Sequence, residues 1–247
     1  QMEYDDEVAF FANQKLYQYA RVSTDADRRP WCLTVSFTHP HDPYVARRKY
    51  WDLYEGIAEL DPPVEDLGYA NQDPHSRRLI DACDSHKFDI TRETVRRARQ
   101  GYFANISYID DKVGDLLETL RTTRMLDNTI VLFTSDHGDM LGERGLWFKM
   151  SFFEGSARVP LMVAGPGVTP RLVNEPVSTL DINPTLADLA GIDIGEILPW
   201  TDGESLVPLM QGGKRTTPVL MEYTAEGSQA PLVCIREGDW KFSHCEL

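Results

Sequence analysis

The chain has 247 residues and a formal net charge of −14, and 42% of its residues are hydrophobic. This length suits one large domain or two small ones, and the hydrophobic share is sufficient for a buried core. The acidic balance argues against a nucleic-acid partner. It is compatible with attraction of metal ions or a cationic substrate, and equally with solubility alone. No apolar run approaches the length of a membrane span, so no membrane partner is expected.

The cysteines predict a reducing compartment. They are widely spaced and form no CxxC pair, which is typical of reduced thiols in a cytoplasmic protein: Cys32, Cys83, Cys234 and Cys245. The N-terminal residues 1–7 are acidic and unlike a signal peptide. Position 1 is not an initiating Met, so we expect the chain to begin partway through a larger protein.

The first half of the chain predicts two long helices and one strand. Residues 7–20 form an amphipathic pattern, and Trp31–Thr38 predicts a strand followed by a loop with two prolines. Residues 45–90 are polar and weakly periodic, which indicates a surface excursion with short helices. Thr91 begins a long helix in which apolar residues recur at helical spacing.

The middle of the chain predicts two buried strands and a helix. The β-branched run Thr129–Thr134 indicates a strand that ends directly before Asp136 and His137. Val159–Ala164 predicts a second strand, and Asn183-Pro184 begins a helix with proline in its first turn. Strands alternating with helices predict an α/β fold with a mostly parallel central sheet flanked by helices.

The C-terminal part predicts the start of a small separate sheet. Pro218–Tyr223 and Leu232–Ile235 are apolar runs, and Arg236–Phe242 has the composition of a hairpin turn. We therefore expect an α/β domain over residues 1–215, incomplete at its N-terminus. Residues 216–247 would be the last strands and the start of a small C-terminal subdomain.

Asp136 and His137 are the first candidate site residues. In open α/β sheets the chemistry lies at the carboxyl ends of the strands. A carboxylate beside an imidazole at that position suits half of a metal site, because a divalent cation requires more than two ligands. The alternative is that Asp136 caps the following turn and His137 is a surface residue.

His41 is the next candidate, because His39 and His41 form an HxH pair after the predicted strand. Such pairs bind zinc in hydrolases with an HxHxDH loop, but the Asp-His part of that loop is absent here. The pair instead suits capping of loop backbone groups, or binding of an anionic substrate by His41.

Four further charged residues are weak signals when taken alone. Lys149 follows a glycine-rich loop and suits a point charge for sulfate or phosphate, although most lysines are solvated surface residues. Glu154 and Arg158 are one helical turn apart, which is more typical of a structural ion pair. Glu226 is a carboxylate in a glycine-containing loop and carries no function by itself.

Six segments, taken together in their order and spacing, carry a family resemblance through nearly the whole chain: residues 36–44, 100–114, 134–150, 153–154, 158–162 and 177–191. The third of these reads Thr-Ser-Asp-His-Gly-Asp-Met-Leu-Gly-Glu-Arg-Gly-Leu-Trp-Phe-Lys-Met. This pattern resembles the type I sulfatases of the alkaline-phosphatase-like superfamily, in particular the choline sulfatases.

The resemblance implies a role for each candidate. Asp136 and His137 match ligands of a single divalent metal, with Ca²⁺ favoured and Mg²⁺ or Mn²⁺ possible. His41 and Lys149 match residues that grip sulfate oxygens, with His41 also placed to assist the leaving group. Glu226 resembles the carboxylate that faces the quaternary ammonium of choline-O-sulfate, the substrate hydrolysed to choline and sulfate. Intact relatives of this type form homo-oligomers.

One essential part of the family pattern is absent. Sulfatases of this type oxidise a Cys or Ser in a C/S-x-P/A-x-R motif to formylglycine, whose hydrate is the nucleophile. None of the cysteines lies in such a motif, and no Asp-Asp pair follows a first strand. The chain therefore resembles the middle and later portion of a sulfatase, with half of the metal site and no nucleophile.

Two other functions remain open at this point. A phosphonate monoester or phosphodiester hydrolase shares the Asp136–His137, His41 and Lys149 pattern, because the same metal and nucleophile serve phosphoryl transfer. A non-catalytic fragment or binding module would explain the missing nucleophile directly. Glu226 is the residue that distinguishes a choline sulfatase from a phosphonate monoester or phosphodiester hydrolase.

Overall fold

The computed structural model describes residues 1–22, 29–57, 60–197 and 199–246. The chain divides into two compact units. The first comprises residues 1–65, 88–131 and 141–143, and the second comprises residues 66–87, 132–140 and 144–247. None of the helices in the described ranges is both long and apolar enough to cross a membrane.

Eight α-helices are found in the described ranges: α1 (Met2–Val22), α2 (Arg48–Trp51), α3 (Pro74–Ala82), α4 (Arg92–Thr122), α5 (Glu154–Ala157), α6 (Ile182–Leu189), α7 (Ile194–Ile197) and α8 (Val207–Met210). Seven strands accompany them: β1 (Val131–Thr134), β2 (Met140–Leu141), β3 (Trp147–Phe148), β4 (Leu161–Ala164), β5 (Val219–Tyr223), β6 (Leu232–Glu237) and β7 (Trp240–Cys245).

The first unit is built on α1 and α4, and the two long helices predicted from the sequence are confirmed. Thr91 caps α4 by accepting a hydrogen bond from the backbone N–H of Thr94 (3.2 Å). Leu16 of α1 and Leu120 of α4 form a buried cluster with Met125. The helices therefore meet through the apolar faces that their periodicity predicts.

The strand predicted over Trp31–Thr38 is not formed, and that prediction is wrong. Its burial alternates residue by residue, and the inward side chains Leu33 and Phe37 pack against two clusters of the first unit. A strand also requires a hydrogen-bonded neighbour. Within the described ranges no sheet includes this segment. The alternating pattern predicted which side chains turn inward, but it does not provide a partner.

The second unit contains most of the sheet structure. β1 pairs with β4, β2 pairs with β3, and β5, β6 and β7 form an antiparallel sheet in that order. β6 and β7 are joined by a two-residue turn in which Gly238 has φ 51°. The predicted strands are confirmed as β1, β4, β5 and β6, and so is the small C-terminal sheet. The sequence did not predict β2, β3 or β7, and the hairpin turn predicted over Arg236–Phe242 is confined to residues 238–239. The fold is α/β, and the boundary expected between residues 215 and 216 stays a prediction.

Residues 45–90 contain short helices, as predicted, and one of them, α3, has a buried face as well as an exposed one. Asp73 caps it by accepting a hydrogen bond from the backbone N–H of Ser76 (3.0 Å), and Pro74 occupies its first position. Ile80 is buried and packs with Met140, Leu146 and Phe153. This cluster is one buried core of the second unit, and Leu146 and Phe153 lie on either side of Lys149 in the sequence.

A buried ion pair organises the segment around α6. Asp181 is fully buried and accepts hydrogen bonds from the backbone N–H groups of Ser178 (2.7 Å) and Glu204 (2.8 Å). The guanidinium of Arg215 donates to the same carboxylate at 2.5 Å. A buried carboxylate needs this number of donors, because its desolvation is otherwise uncompensated.

Candidate active site

Asp136 and His137 follow the end of β1 after one residue, Ser135, and contact each other. Asp136 accepts a hydrogen bond from the backbone N–H of His137 (2.9 Å), and its other oxygen lies 3.7 Å from Nε2 of His137. Nδ1 of His137 lies 2.9 Å from the carbonyl oxygen of Gly138. Because a carbonyl only accepts, Nδ1 carries the hydrogen, and the neutral ring has its lone pair on Nε2.

This arrangement fits part of a divalent-metal site. It places a carboxylate oxygen and an imidazole lone pair close together, and the Asp136 side chain is 85% exposed and accessible to a cation. The carbonyl that fixes the histidine tautomer is the kind of supporting partner found behind metal-bound imidazoles. Among the described residues no cluster of three or more His, Cys, Asp or Glu side chains is suitable for a metal ion. The pair therefore supplies two donors.

The loop that carries the pair is packed closely against α5. The backbone N–H of Gly138 donates to the carbonyl of Ser156 (2.8 Å). A Cβ atom at Gly138 would overlap the carbonyl oxygen of Gly155. Glycine at position 138 therefore lets the two backbones approach, and α5 fixes where the loop leaves β1.

Lys241 of β7 holds the beginning of α5. Its ammonium donates to the carbonyl of Phe152 (2.6 Å) and to the Glu154 carboxylate. The Lys241 hydrogen bond lowers the pKa of Glu154, against the opposing effect of partial burial. Arg158, the partner expected from spacing, lies 3.9 Å from Glu154. The C-terminal sheet thus supports the helix that supports the Asp136–His137 loop.

Lys149 lies in a loop whose backbone is strained. Arg144, Phe148 and Met150 have φ values of 60°, 66° and 74°, a left-handed region that L-residues with side chains rarely adopt. Phe148 and Met150 flank Lys149 on either side. Such strain persists only where surrounding contacts impose it, and it is common at functional sites.

Two buried side chains from one neighbouring segment impose that conformation. The amide of Gln72 donates to the carbonyl of Arg144, and Nε2 of His75 lies 2.8 Å from the carbonyl of Met150. Gln72 and His75 are only 4% and 7% exposed. Each donor therefore fixes the carbonyl of a left-handed residue, one before Lys149 and one after it.

The loop that carries Glu226 rests on the same segment. The hydroxyl of Tyr223 donates to the backbone carbonyl of Glu226 (2.8 Å), which closes the turn after β5. Burial raises the pKa of Tyr223, and the nearby Glu226 carboxylate adds to the shift, so the hydroxyl remains a donor. Gly227 has φ 73°, and a Cβ there would lie 2.7 Å from Leu79 of α3. The exposed Glu226 side chain is thus presented by a closed turn on α3.

His41 belongs to the first unit, in a loop that Asp5 of α1 anchors. The fully buried Asp5 carboxylate accepts hydrogen bonds from the backbone N–H groups of Thr38 (2.7 Å) and His39 (3.0 Å), and from Nδ1 of His39 (2.5 Å). His41 Nδ1 lies 3.0 Å from the carbonyl oxygen of Asp42. His39 is therefore a structural residue of this loop, but its ring binds the Asp5 carboxylate and not the backbone group that the capping interpretation expects. The partly exposed His41 ring is the one that lies against a backbone carbonyl.

Asp6, the next residue of α1, forms a second anchor near this loop. Its carboxylate is bound by Lys112, Arg47 and the Tyr108 hydroxyl. Burial opposes ionisation of Asp6, but these three donors outweigh it and lower the pKa from 3.8 to about 2. Asp6 is therefore charged throughout the neutral pH range, and it connects α1 to α4.

Sequence reasoning missed Asp5, Gln72 and His75. The acidic N-terminus gave no pattern that distinguishes a buried Asp from a solvated one. Gln72 and His75 lie in residues 45–90, where weak periodicity predicts surface structure. The sequence does mark Asp73-Pro74 as a helix start, but that signal does not indicate which side chains of the helix face the protein.

Family models match two overlapping parts of the chain. The model described as Sulfatase matches residues 2–192. The model described as N-sulphoglucosamine sulphohydrolase, C-terminal, matches residues 142–245.

Curated relatives support the same family. A choline-sulfatase from Rhizobium meliloti is 68% identical over 247 residues, which is all of this chain and 48% of the relative. An arylsulfatase from Clostridium perfringens is 34% identical over 189 residues, or 74% of this chain and 38% of the relative. The chain thus spans about half the length of the choline-sulfatase that it matches.

Solved structures show the same fold. A phosphonate monoester hydrolase from Silicibacter pomeroyi superposes with a TM-score of 0.74 at 20% identity, covering 93% of this chain and 51% of that one. A second such hydrolase, from Agrobacterium radiobacter, gives a TM-score of 0.68 at 24% identity, covering 93% and 51%. At these identities the likeness concerns the fold alone.

Proposed function

Because the chain belongs to the sulfatase family, we propose that its protein hydrolyses choline-O-sulfate to choline and sulfate. The observation that supports this substrate is the 68% identity to a choline-sulfatase over the whole chain. In this proposal the nucleophile and the remaining metal ligands are supplied from outside these 247 residues, by another part of the polypeptide or by another chain.

The proposed roles follow from the chemistry of each side chain. Asp136 and His137 would hold the divalent cation, Ca²⁺ by preference, through a carboxylate oxygen and Nε2. When bound, the cation offsets negative charge on the sulfuryl oxygens. Lys149 and His41 bind sulfate oxygens as donors, and His41 also delivers a proton towards the leaving oxygen. A formylglycine, when present, supplies the nucleophile.

Glu226 is proposed as the residue that recognises the choline end. A trimethylammonium group has no N–H to donate, so a carboxylate attracts it by charge alone. The exposed position of Glu226 on a closed turn suits a ligand that arrives from solvent. This role distinguishes choline-O-sulfate from sulfate esters that carry no cation.

Three broader features belong to the same proposal. β1 and β4 would be part of a mostly parallel central sheet that continues outside the described residues. The intact protein would be a homo-oligomer in the cytoplasm. The free state of all four cysteines supports a reducing location.

The first test is the intact mass of the denatured protein together with turnover of choline-O-sulfate. A species well above 28.1 kDa, or a second polypeptide, accompanied by release of choline, is the expected result. A single species at 28.1 kDa that binds choline without turnover would identify a binding module instead.

Glu226→Ala tests the substrate against the phosphonate or phosphodiester alternative. We expect KM for choline-O-sulfate to rise about tenfold, equivalent to about 1.4 kcal/mol of lost binding, with little change for para-nitrophenyl sulfate. Glu222→Ala, an exposed carboxylate on β5, is the matched control. Turnover of a phosphonate monoester but not of choline-O-sulfate by the unaltered protein would reject the proposal.

A further inference from the structure

His75 occupies the position where the two predicted ligand-binding loops of the second unit meet. Its Nε2 lies 2.8 Å from the carbonyl oxygen of Met150. Because a carbonyl only accepts, Nε2 carries the hydrogen and donates it. Met150 follows Lys149 directly and has a left-handed backbone (φ 74°). The imidazole therefore holds the Lys149 loop at one of its left-handed residues.

The same ring contacts the element that presents Glu226. His75 and Tyr223 meet edge to face, with ring centroids 6.4 Å apart and an interplanar angle of 63°. Tyr223 closes the Glu226 turn through its hydroxyl. One helical turn after His75, Leu79 packs beneath Gly227 of that turn. One face of α3 thus supports the Glu226 loop, and its first turn supports the Lys149 loop.

The burial of His75 indicates that its imidazole has a particular role in the protein and does not merely fill space in the core. The residue is 7% exposed, and its Nδ1 is a buried atom that has no hydrogen-bond partner in the described part of the chain. An unsatisfied buried nitrogen is a cost that an apolar side chain of similar shape would avoid. The presence of an imidazole at this position is explained if the protein requires the Nε2 donor and the aromatic edge together.

We propose that His75 is a positioning residue that sets the distance between Lys149 and Glu226. This inference rests on the proposed function, in which Lys149 binds the sulfate end and Glu226 the trimethylammonium end of one substrate. His75 touches neither end. It would select esters in which the separation of the anion and the cation matches that of choline-O-sulfate.

Two substitutions separate the two contacts of His75. His75→Gln keeps a donor near the Nε2 position and loses the aromatic edge, whereas His75→Phe keeps the edge and loses the donor. His86→Phe is the matched control, because His86 is an exposed histidine of the same unit. Tyr223→Phe is a milder variant that keeps its ring and loses only the hydroxyl that closes the Glu226 turn.

The experiment measures binding of inorganic sulfate and of choline chloride separately by calorimetry, on the full-length protein. We expect His75→Phe to weaken sulfate binding about tenfold, the equivalent of one net hydrogen bond, with a smaller effect on choline. His75→Gln and Tyr223→Phe should weaken choline binding several-fold and leave sulfate binding within about twofold. In turnover of choline-O-sulfate, His75→Phe should lower kcat and His75→Gln should raise KM.

Equal losses for both ligands in both His75 variants would overturn the inference, because a merely structural role lowers all binding together. Unchanged binding in both variants would overturn it as well, as would failure of the unaltered protein to bind either probe. Failure of the proposed function has a different signature. The unaltered protein would not turn over choline-O-sulfate, while the two binding measurements would still report on His75.

Discussion

Substitution of Gly138 by alanine tests whether α5 fixes the Asp136–His137 loop. Gly138 is not in a left-handed conformation, so only space opposes a Cβ atom, which would overlap the carbonyl oxygen of Gly155. To relieve that overlap, the loop and α5 must separate. The hydrogen bond from Gly138 N–H to the Ser156 carbonyl (2.8 Å) would then lengthen or break.

The magnitude follows from these two contacts. Insertion of a methyl group into a closely packed position costs about 1–3 kcal/mol, and loss of a backbone hydrogen bond costs about 1 kcal/mol more. We therefore expect Gly138→Ala to lower the free energy of unfolding by about 2–4 kcal/mol. Displacement of the loop also moves the proposed metal ligands. Loss of support behind metal ligands typically lowers metal affinity about 10–100-fold.

Urea unfolding followed by circular dichroism measures the first effect, and calorimetric titration with CaCl₂ measures the second. Gly114→Ala is the matched control, because Gly114 lies in α4 with nothing within 4 Å of a built Cβ. The same chemical change there should stabilise the protein by about 0.5–1 kcal/mol. If Gly138→Ala were as stable as the unaltered protein and bound Ca²⁺ equally well, the packing argument would be refuted.

Three further outcomes follow from the charged pairs. Lys241→Met should return the pKa of Glu154 towards its ordinary range. The Lys241–Glu154 ion pair stabilises the fold at pH values above the unfolded-state pKa of Glu154, by less than about 1 kcal/mol because Glu154 is partly exposed. Melting curves measured as a function of pH should show that this stabilisation is lost in the variant. The pKa of Asp6 is lowered from 3.8 to about 2, so ionised Asp6 stabilises the fold by on the order of 1 kcal/mol after screening; this stabilisation is present above pH 3.8 and lost as the pH falls through 2. Asp6→Asn should therefore reduce the slope of the unfolding free energy against pH in the acid range, and an unchanged slope would contradict this. Arg215→Met leaves the buried Asp181 carboxylate without its cation and should lower the unfolding free energy by about 3–5 kcal/mol in urea titrations, with partial recovery when Asp181→Asn is added.

Local signals were sufficient for much of the fold. The long helix α4 follows from a capping threonine and apolar periodicity, and β1 follows from a β-branched run that ends at a carboxylate and an imidazole. The candidate pair Asp136–His137 could be located for the same reason, because strand ends position chemistry in α/β proteins. These features depend on residues close in sequence.

Features that depend on distant residues were not predictable. The segment Trp31–Thr38 alternates like a strand, but hydrogen bonding to a neighbour decides whether a strand forms. Gln72 and His75 contact carbonyls that lie 72 and 75 residues further along the chain. Asp5 accepts hydrogen bonds from Thr38 and His39, more than 30 residues away. A single sequence contains no signal for these pairs, since each depends on how the elements pack.

The strained backbone around Lys149 creates a conflict for anyone who seeks a heat-resistant variant. A left-handed conformation costs a non-glycine residue roughly 1–2 kcal/mol, so glycine at Phe148 or Met150 would relieve strain. It would also enlarge the range of conformations open to Lys149. Libraries selected for thermal tolerance alone should therefore accumulate glycine at these two positions and lose efficiency in the proposed reaction, a trade-off between durability and turnover.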